Sequence, residues 1–200
     1  MFIANILNWS SKKEGNKYEC NKNKQWTKRK KKEEKMNQKI IKKRYRQAKR
    51  IEPEITRHVK NASLLCGLAM VNTDHTIKSR KSYTKKVKTK MVREMLPQKA
   101  AMAKVKDLIR YTMLLKRYDK EELNKHVENI ITYLTKAGYK FLELKNYFKV
   151  PKKSGYKGCH LYFKTQEGII FEIQIHTGET LYMKEESHWV YKKETCLPND

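Results

Sequence analysis

Four side chains suited to acid, base and hydrogen-bonding chemistry lie close together in the C-terminal third of the sequence: His160, Tyr162, Glu172 and Gln174. The segments that carry them alternate apolar and polar residues with the period of two that is typical of β-strands. The loop between the segments, Gln166-Glu167-Gly168, is a hairpin signal. Its length predicts that Tyr162 lies opposite Glu172 and His160 opposite Gln174. The pattern therefore places an imidazole, a phenol, a carboxylate and an amide on one open surface.

A second group of polar residues precedes this hairpin in a recognisable order. From Lys145 to His160 the sequence reads Lys-Asn-Tyr-Phe-Lys-Val-Pro-Lys-Lys-Ser-Gly-Tyr-Lys-Gly-Cys-His. It resembles the nucleotide-binding loop of RelA/SpoT-type synthetases, and three further blocks resemble the same family: Lys78 with Ser82 and Lys86, Glu-Ile-Gln-Ile-His-Thr from Glu172, and His-Trp-Val-Tyr-Lys from His188. The blocks follow one another in the family's order, and their character is closest to the small stand-alone or toxin-type branch.

The resemblance implies a reaction, which is Mg²⁺-dependent transfer of the β,γ-pyrophosphate of ATP to the 3′ hydroxyl of a purine nucleotide. With GDP, GTP or an adenine nucleotide as acceptor, the product would be (p)ppGpp-like or ppApp-like. Mg²⁺ takes hard oxygen ligands and usually only one or two of them from protein. Asp107 and Glu172 are the candidates for metal binding and catalysis. Glu172 could also accept the proton of the attacking hydroxyl, and the sequence leaves the choice between these roles open.

On the ATP side, cations and a hydroxyl are expected around the phosphates, because this chemistry depends on positioning and on neutralising charge. The expected ATP-binding residues are Lys78, Arg80, Ser82 and Lys86. Lys78, Ser82 and Lys86 are spaced four residues apart, which predicts that they share one face of a helix.

On the acceptor side, the resemblance implies that Tyr156 stacks on the acceptor base from a glycine-flanked loop. The remaining residues expected to bind the acceptor are Lys145, Lys152, His160 and Gln174.

Three positions depart from the family's pattern. Thr76 stands where the family commonly has an arginine that helps to hold adenine, His176 replaces the arginine of the Gln-Ile-Arg-Thr strand, and Asn146 replaces the aspartate of Lys-Asp-Tyr. The interval from Asp107 to Arg110 is also shorter than in the long housekeeping enzymes. These departures leave the identity of the acceptor open.

The chain contains no His-Asp dipeptide, so the hydrolase half of the bifunctional relatives is missing. The toxin-type branch is often restrained by an antitoxin or immunity protein, which is therefore a possible partner. Some members of that branch modify the 3′ CCA end of tRNA, and pyrophosphorylation of tRNA is the alternative function. A non-enzymatic RNA-binding module is the second alternative, although Lys78, Asp107, Tyr156 and Glu172 are all retained.

Several elements must position these residues. Strands are predicted over Leu108–Leu115, Tyr139–Phe148, Cys159–Phe163 and Ile169–Ile175, and a helix capped by Asp119 and ended by Gly138 is predicted between the first two. His188 with Trp189 is expected to pack a C-terminal helix onto the sheet. The predicted fold class is α/β (α+β), a mixed, largely antiparallel sheet of four to five strands flanked by helices.

The N-terminal part of the chain has a different composition from the rest. Residues 12–50 consist mainly of Lys, Arg, Asn and Gln, and the whole chain carries a formal charge of +26 over 200 residues. Such an excess predicts polyanionic partners. We divide the chain into a basic arm over residues 1–52, helical or disordered, and a synthetase-like domain over residues 53–200.

The sequence also bears on the location of the protein. A mean hydropathy of -0.90 and the lack of a long apolar run argue against a membrane-spanning chain. The apolar start, Met1–Leu7, lacks the charged lead and the length of a secretory signal, so a cytoplasmic protein is expected. The cysteines, Cys20, Cys66, Cys159 and Cys196, form no zinc-like spacing and are expected to be reduced.

Overall fold

The computed structural model describes residues 4–152 and 154–186, with side chains for residues 26, 27, 30–152 and 154–186. The chain divides into two compact units, Met1–Arg44 and Tyr45–Asp200. A long helix, α1 (Ala4–Leu65), contributes to both units, and Pro53 lies inside it. The predicted contacts of His188 and Trp189, and the side chains of Cys20 and Cys196, lie outside the described residues.

In the first unit, the described residues belong to α1. The basic arm, predicted to be helical or disordered, is therefore helical over these residues. The described lysine side chains from Lys30 to Lys35 are exposed, and the ammonium of Lys30 lies 4.0 Å from the ring centroid of Trp26. A lysine-rich helix of this kind keeps its charges in water and presents them to solvent.

The second unit contains the end of α1 and a five-stranded sheet. Its other elements are β1 (Ala69–Val71), a 3₁₀ turn (Thr73–His75), α2 (Arg80–Arg93), α3 (Gln98–Ala103), β2 (Ile109–Leu115), α4 (Lys120–Lys136), β3 (Lys140–Asn146), β4 (Cys159–Lys164), β5 (Ile170–Thr177) and a helical segment over residues 178–186. The strand order is β1-β2-β5-β4-β3. Of the described strand pairs, only β2–β5 is parallel. The prediction of a mixed, largely antiparallel α+β sheet is confirmed.

Helix α4 forms where the sequence predicts it. The side chain of Asp119 accepts a hydrogen bond from the backbone N–H of Glu122 at 2.8 Å, which satisfies one free donor of the first turn. Its buried residues recur at helical spacing and pack on the sheet: Leu123, Val127, Ile130 and Leu134. Gly138 follows the helix with φ of +92°, a conformation that a residue with a Cβ adopts only with strain.

The β4–β5 hairpin has the predicted register. Tyr162 is paired with Glu172 and His160 with Gln174. The turn is closed by the hydrogen bond from the N–H of Thr165 to the carbonyl of Ile169, at 2.9 Å. The inward side chains form the centre of the core and are all buried: Cys159, Leu161, Phe163, Phe171, Ile173 and Ile175.

The opposite, polar face of the hairpin differs from the prediction. We expected an open surface, but His160, Tyr162, Glu172 and Gln174 are each at most 8% exposed. The covering groups come from elsewhere in the chain. Tyr147 and Tyr156 pack their rings against His160, and Lys184 reaches Gln174 from the 178–186 segment. The prediction of an exposed acid on this face is therefore wrong, because distant segments enclose it.

Among the described residues, none of the helices has both the length and the apolar composition needed to cross a bilayer. Cys66 and Cys159 are buried free thiols. Burial raises the pKa of the Cys159 thiol to about 12, so this thiol is protonated at neutral pH and serves as an apolar core residue.

Candidate active site

Glu172 lies at the centre of the enclosed polar face. Its Oε1 atom accepts hydrogen bonds from the Tyr162 hydroxyl at 2.7 Å and from His160 Nδ1 at 2.8 Å. Burial opposes ionisation of this carboxyl, but the hydrogen bonds and the charge of His160 outweigh it and lower the pKa of Glu172 to about 2. Glu172 is thus a carboxylate held in one position by two neighbouring side chains.

His160 connects this carboxylate to the loop that precedes β4. Because a carboxylate only accepts, Nδ1 of His160 carries the proton in the bond to Glu172. The other ring nitrogen, Nε2, lies 2.5 Å from the hydroxyl of Tyr156. The structure therefore brings Tyr156, His160 and Glu172 together, and their roles stay predictions.

His176 occupies the other side of the Tyr156 hydroxyl. Its Nε2 lies 3.1 Å from that hydroxyl, and its Nδ1 lies 3.2 Å from Thr180 Oγ1. Burial, with the nearby charge of Lys184, lowers the pKa of His176 to about 3, so the imidazole is neutral. The residue that replaces the family's arginine is therefore an uncharged anchor for the Tyr156 loop.

The loop over residues 147–158 is shaped by local contacts. Asn146 Oδ1 accepts hydrogen bonds from the backbone N–H groups of Phe148 and Lys149, at 3.0 and 3.2 Å, so the asparagine fixes the start of the loop. At the other end, a Cβ on Gly158 would lie 2.7 Å from Cε1 of His176. Only glycine allows the loop to pass this close to the imidazole.

Tyr156 is half-buried within this loop. Its ring meets Tyr147, His160 and His176 edge-on. The ammonium of Lys152 lies 4.3 Å from the ring centroid of Tyr156 and 4.5 Å from that of Tyr147, within the range of cation–π attraction. A base that stacks on this face of Tyr156 must displace the ammonium of Lys152.

Lys145 lies across from His160 on β3. Its ammonium is 3.2 Å from a carboxylate oxygen of Glu143 and 5.9 Å from the ring centroid of Tyr162. Lys106 also bonds to Glu143 and lies over the Tyr162 ring. Two lysines therefore border the enclosed carboxylate from the β3 side, and Lys106 was not found from the sequence.

Asp107 forms a second, separate centre just before β2. Its Oδ2 atom is 2.7 Å from Lys86 Nζ and 3.4 Å from Lys78 Nζ. Its Oδ1 atom is buried and has no hydrogen-bond partner among the described residues. A buried carboxylate oxygen with no partner fits a cation ligand, since a polar atom of this kind otherwise costs free energy.

The expected helix face of Lys78, Ser82 and Lys86 is only partly correct. Ser79 caps α2 by accepting a hydrogen bond from the Ser82 N–H at 3.2 Å, so Lys78 lies before the helix. The backbone N–H of Lys78 instead donates to the carbonyl of Leu108, next to Asp107. The two lysines still meet at one carboxylate, while Ser82 and Arg80 are exposed in the first turn of α2.

The described residues contain no group of three or more His, Cys, Asp or Glu side chains arranged to hold a metal ion. Mg²⁺ does not need one, because it usually keeps waters and substrate phosphates as ligands beside one or two carboxylates. Asp107 supplies an unpartnered oxygen, and Glu172 supplies an ionised one. Each of these two carboxylates is therefore chemically suited to a hard cation such as Mg²⁺.

Two further cations were not found from the sequence. Arg110 is the register partner of Glu172 in the parallel β2–β5 pair, and Lys184 donates to Gln174 Oε1 at 2.7 Å. Arg110 served in the sequence analysis only to mark a spacing after Asp107, and Lys184 lies outside the blocks that resemble the family. Thr76, where the family commonly has an arginine, is buried, and its hydroxyl donates to Glu52 at 2.6 Å. That position therefore has a structural contact in this chain.

The described residues thus hold two acidic centres, a carboxylate enclosed by donors at Glu172 and a carboxylate held by lysines at Asp107. The sequence profile of the region found in RelA / SpoT proteins matches residues 75–196, well over half of the chain. The chain therefore belongs to the RelA/SpoT family.

Solved structures agree with the fold. The small alarmone synthetase 1 from Bacillus subtilis, bound to its product pppGpp, is 18% identical with a TM-score of 0.53, covering 75% of this chain and 78% of that chain. A GTP pyrophosphokinase family protein from Streptococcus pneumoniae is 18% identical with a TM-score of 0.52, covering 78% and 77%. No curated protein matches the sequence.

Proposed function

We propose that this protein is a nucleotide pyrophosphokinase that uses Mg²⁺ and transfers the β,γ-pyrophosphate of ATP to the 3′ hydroxyl of a purine nucleotide. The observation that carries the proposal is the ionised Glu172, held by His160 and Tyr162 within a block typical of the family. A fixed carboxylate of this kind can bind a cation or accept a proton without rearranging during the reaction.

On the ATP side, Lys78 and Lys86 are the groups for the phosphates. Both now contact Asp107. Asp107 would hold the Mg²⁺, and Lys78 and Lys86 would then turn from its carboxylate to the phosphates. The metal would supply charge neutralisation of the β- and γ-phosphate oxygens. Arg80 and Ser82, exposed in the first turn of α2, complete this side in the proposal.

On the acceptor side, Tyr156 would hold the purine base by stacking, which is favourable for any base. The ammonium of Lys152 leaves the ring for an acceptor phosphate, and Lys145 lies on the same side of the sheet. His160 and Gln174 border the carboxylate that faces the acceptor ribose.

In the transfer step, the acceptor 3′ oxygen forms a bond to the β-phosphorus of ATP, while the bond from that phosphorus to the α,β-bridging oxygen breaks. AMP leaves, and the hydroxyl proton passes to a base for which Glu172 is the candidate. Positioning accounts for most of the rate in reactions of this type.

The test is transfer of label from γ-labelled ATP. The full chain is incubated with Mg²⁺ and, separately, with GDP, GTP, AMP, ADP, unlabelled ATP and bulk tRNA. Label on a free purine nucleotide is the expected result, and chelation of Mg²⁺ should abolish it. Label on tRNA alone would replace the proposal with tRNA modification, and no label on any acceptor would favour the non-enzymatic alternative.

A further inference from the structure

The side-chain amide of Gln174 can face Glu172 in two ways. Its carbonyl oxygen would repel the carboxylate, whereas its NH₂ group would donate a hydrogen bond to it. The two residues are two positions apart on β5 and therefore share the polar face. The orientation of this amide thus determines whether Gln174 stabilises or opposes the charge of Glu172.

Lys184 determines that orientation. Its Nζ atom lies 2.7 Å from Gln174 Oε1. An ammonium group has donors and no acceptor, so the amide atom that faces it must be the oxygen. The NH₂ group is then left for Glu172, which lies two residues earlier on the same face of β5.

The setting of Lys184 suits this role. It lies on the helical segment over residues 178–186, which begins directly after β5, so the ammonium reaches back over the strand that carries Gln174. Burial, followed by the charge of Arg110, lowers the pKa of Lys184 to about 8. The ammonium form therefore still predominates at neutral pH. On the neighbouring strands, Gln174 is paired with His160 and Thr112, which close the amide in on both sides.

We propose that Lys184 is a positioning residue of this site, which fixes the Gln174 amide so that its NH₂ group donates to Glu172. The expected effect of Lys184 on the reaction rate rests on the proposed function, whereas its effect on the Gln174 amide does not. Lys184 acts through Gln174 and does not hold a phosphate.

The first test compares three variants of the full chain in the labelled-ATP assay. Lys184→Met should lower kcat by about 10- to 100-fold, the range found when a group that orients an active-site ligand is removed. The KM values for ATP and for the acceptor should stay within about twofold, because uniform binding is not affected. Lys184→Arg, which keeps a donor, should recover most of the lost kcat. The control is Lys164→Met, which removes an exposed lysine at the end of β4 and should leave kcat unchanged.

The second test separates action through Gln174 from direct contact with substrate. In a Gln174→Leu background, Lys184→Met should have almost no further effect on kcat, because the group that it orients is gone. If the fold-changes in kcat of the two substitutions multiply, or if Lys184→Met raises KM and retains kcat, then Lys184 binds substrate directly. Either result would overturn the proposal.

The third test does not need catalysis. The side-chain NH₂ resonances of Gln174 are followed by NMR in the full chain, and their exchange with water is measured. Lys184→Met should speed this exchange and shift the resonances, while Lys164→Met should do neither. Unchanged Gln174 resonances would overturn the proposal, whereas a changed amide in a chain that transfers no pyrophosphate would refute only the proposed function. If Lys184→Met does not fold, Lys184→Leu, which also lacks a donor, gives the same comparison.

Discussion

The two acidic centres of this domain are built in opposite ways. Asp107 meets two lysine ammonium groups at its Oδ2, and its Oδ1 has no hydrogen-bond partner within the described part of the chain. Glu172 is enclosed by a phenol and an imidazole and is only 3% exposed. The partners of Asp107 are long, flexible lysine side chains, while those of Glu172 are rigid ring side chains held in place by the sheet and by neighbouring rings.

The difference suggests a division of roles. Ion pairs with partly exposed lysines are weak and exchange readily, so in the proposed mechanism Asp107 would give up its lysines to a phosphate at little cost. A buried carboxylate with two donors is fixed before substrate arrives, which suits a group that must act in the transition state. Loss of charge should therefore have different consequences at the two centres.

The largest effect is expected at the enclosed centre. Glu172→Gln keeps the shape and an acceptor oxygen but removes the charge, and it should lower pyrophosphate transfer by about 10²- to 10³-fold or more. Circular dichroism and thermal melting should show an intact fold. Glu143→Gln, at an accessible carboxylate on β3, is the matched control and should retain most activity. Near-normal transfer by Glu172→Gln would remove this residue from the mechanism.

A smaller loss of activity, with a distinctive change in binding, is expected at Asp107. Asp107→Asn should lower the rate by about 10²-fold, because one metal ligand is lost. It should also tighten ATP binding in the absence of Mg²⁺, since Lys78 and Lys86 are no longer paired with a carboxylate. Isothermal titration calorimetry with chelator present measures this directly. Weaker metal-free binding would contradict the exchange of lysines described above.

The effect at Tyr156 should be confined to the acceptor. Tyr156→Ala should raise the acceptor KM by about tenfold or more, since stacking of a base on an aromatic ring is worth about 1–3 kcal/mol, and it should leave the KM for ATP nearly unchanged. Tyr156→Phe keeps the ring but loses the contacts to His160 and His176, so it separates stacking from hydrogen bonding. Equal losses for ATP and acceptor would refute the stacking role.

The smallest expected effect concerns the stability of the enclosed face in acid. The pKa of His176 falls from 6.5 to about 3 on folding, so between these values the unfolded chain binds more protons. Stability therefore decreases as the pH is lowered from 6.5, by at most about 1.4 kcal/mol per pH unit from this residue. The lowered pKa of Glu172 adds a loss in the same direction only below 4.5.

Urea unfolding at pH 7, 6 and 5 measures this dependence. His176→Gln should flatten the dependence over that interval, whatever it does to absolute stability. His75→Gln, at an exposed histidine in the 3₁₀ turn, should leave it as in the parent chain. If the free energy of unfolding of the His176→Gln variant falls with decreasing pH as steeply as that of the parent chain, groups other than His176 cause the acid sensitivity.

The sequence predicted the hairpin and its register, but it did not predict that other segments bury the polar face of the hairpin. Loop length and alternation determine the pairing of Tyr162 with Glu172, and both are local properties. Burial of that face depends on Tyr147, Tyr156 and Lys184, which reach it only after the chain folds. Arg110 is the partner of Glu172 because β2 and β5 pair in parallel, although α4, β3 and β4 separate these strands in the sequence. The alternation of residues within either strand does not reveal this pairing.

Lys78 and Lys86, which we expected on the ATP side, do lie together at Asp107, but the predicted helical position of Lys78 was wrong. Spacing alone placed Lys78 on a helix, yet Ser79 is the N-cap and the helix begins at Arg80, two residues after Lys78. Lys78 nevertheless contacts Asp107, because the segment that carries Lys78 runs beside Leu108, the residue that precedes β2. Cap signals therefore refine spacing arguments where a motif crosses the start of a helix.

The close approach of Gly158 to His176 has a consequence for anyone who wishes to redirect this protein to another acceptor. Because even a methyl group at residue 158 would collide with the imidazole, the loop that carries Tyr156 is fixed at that point. Variation has room at Lys157, whose side chain is exposed. Libraries that diversify Lys157 while sparing Gly158 should therefore yield folded proteins far more often than libraries that randomise both.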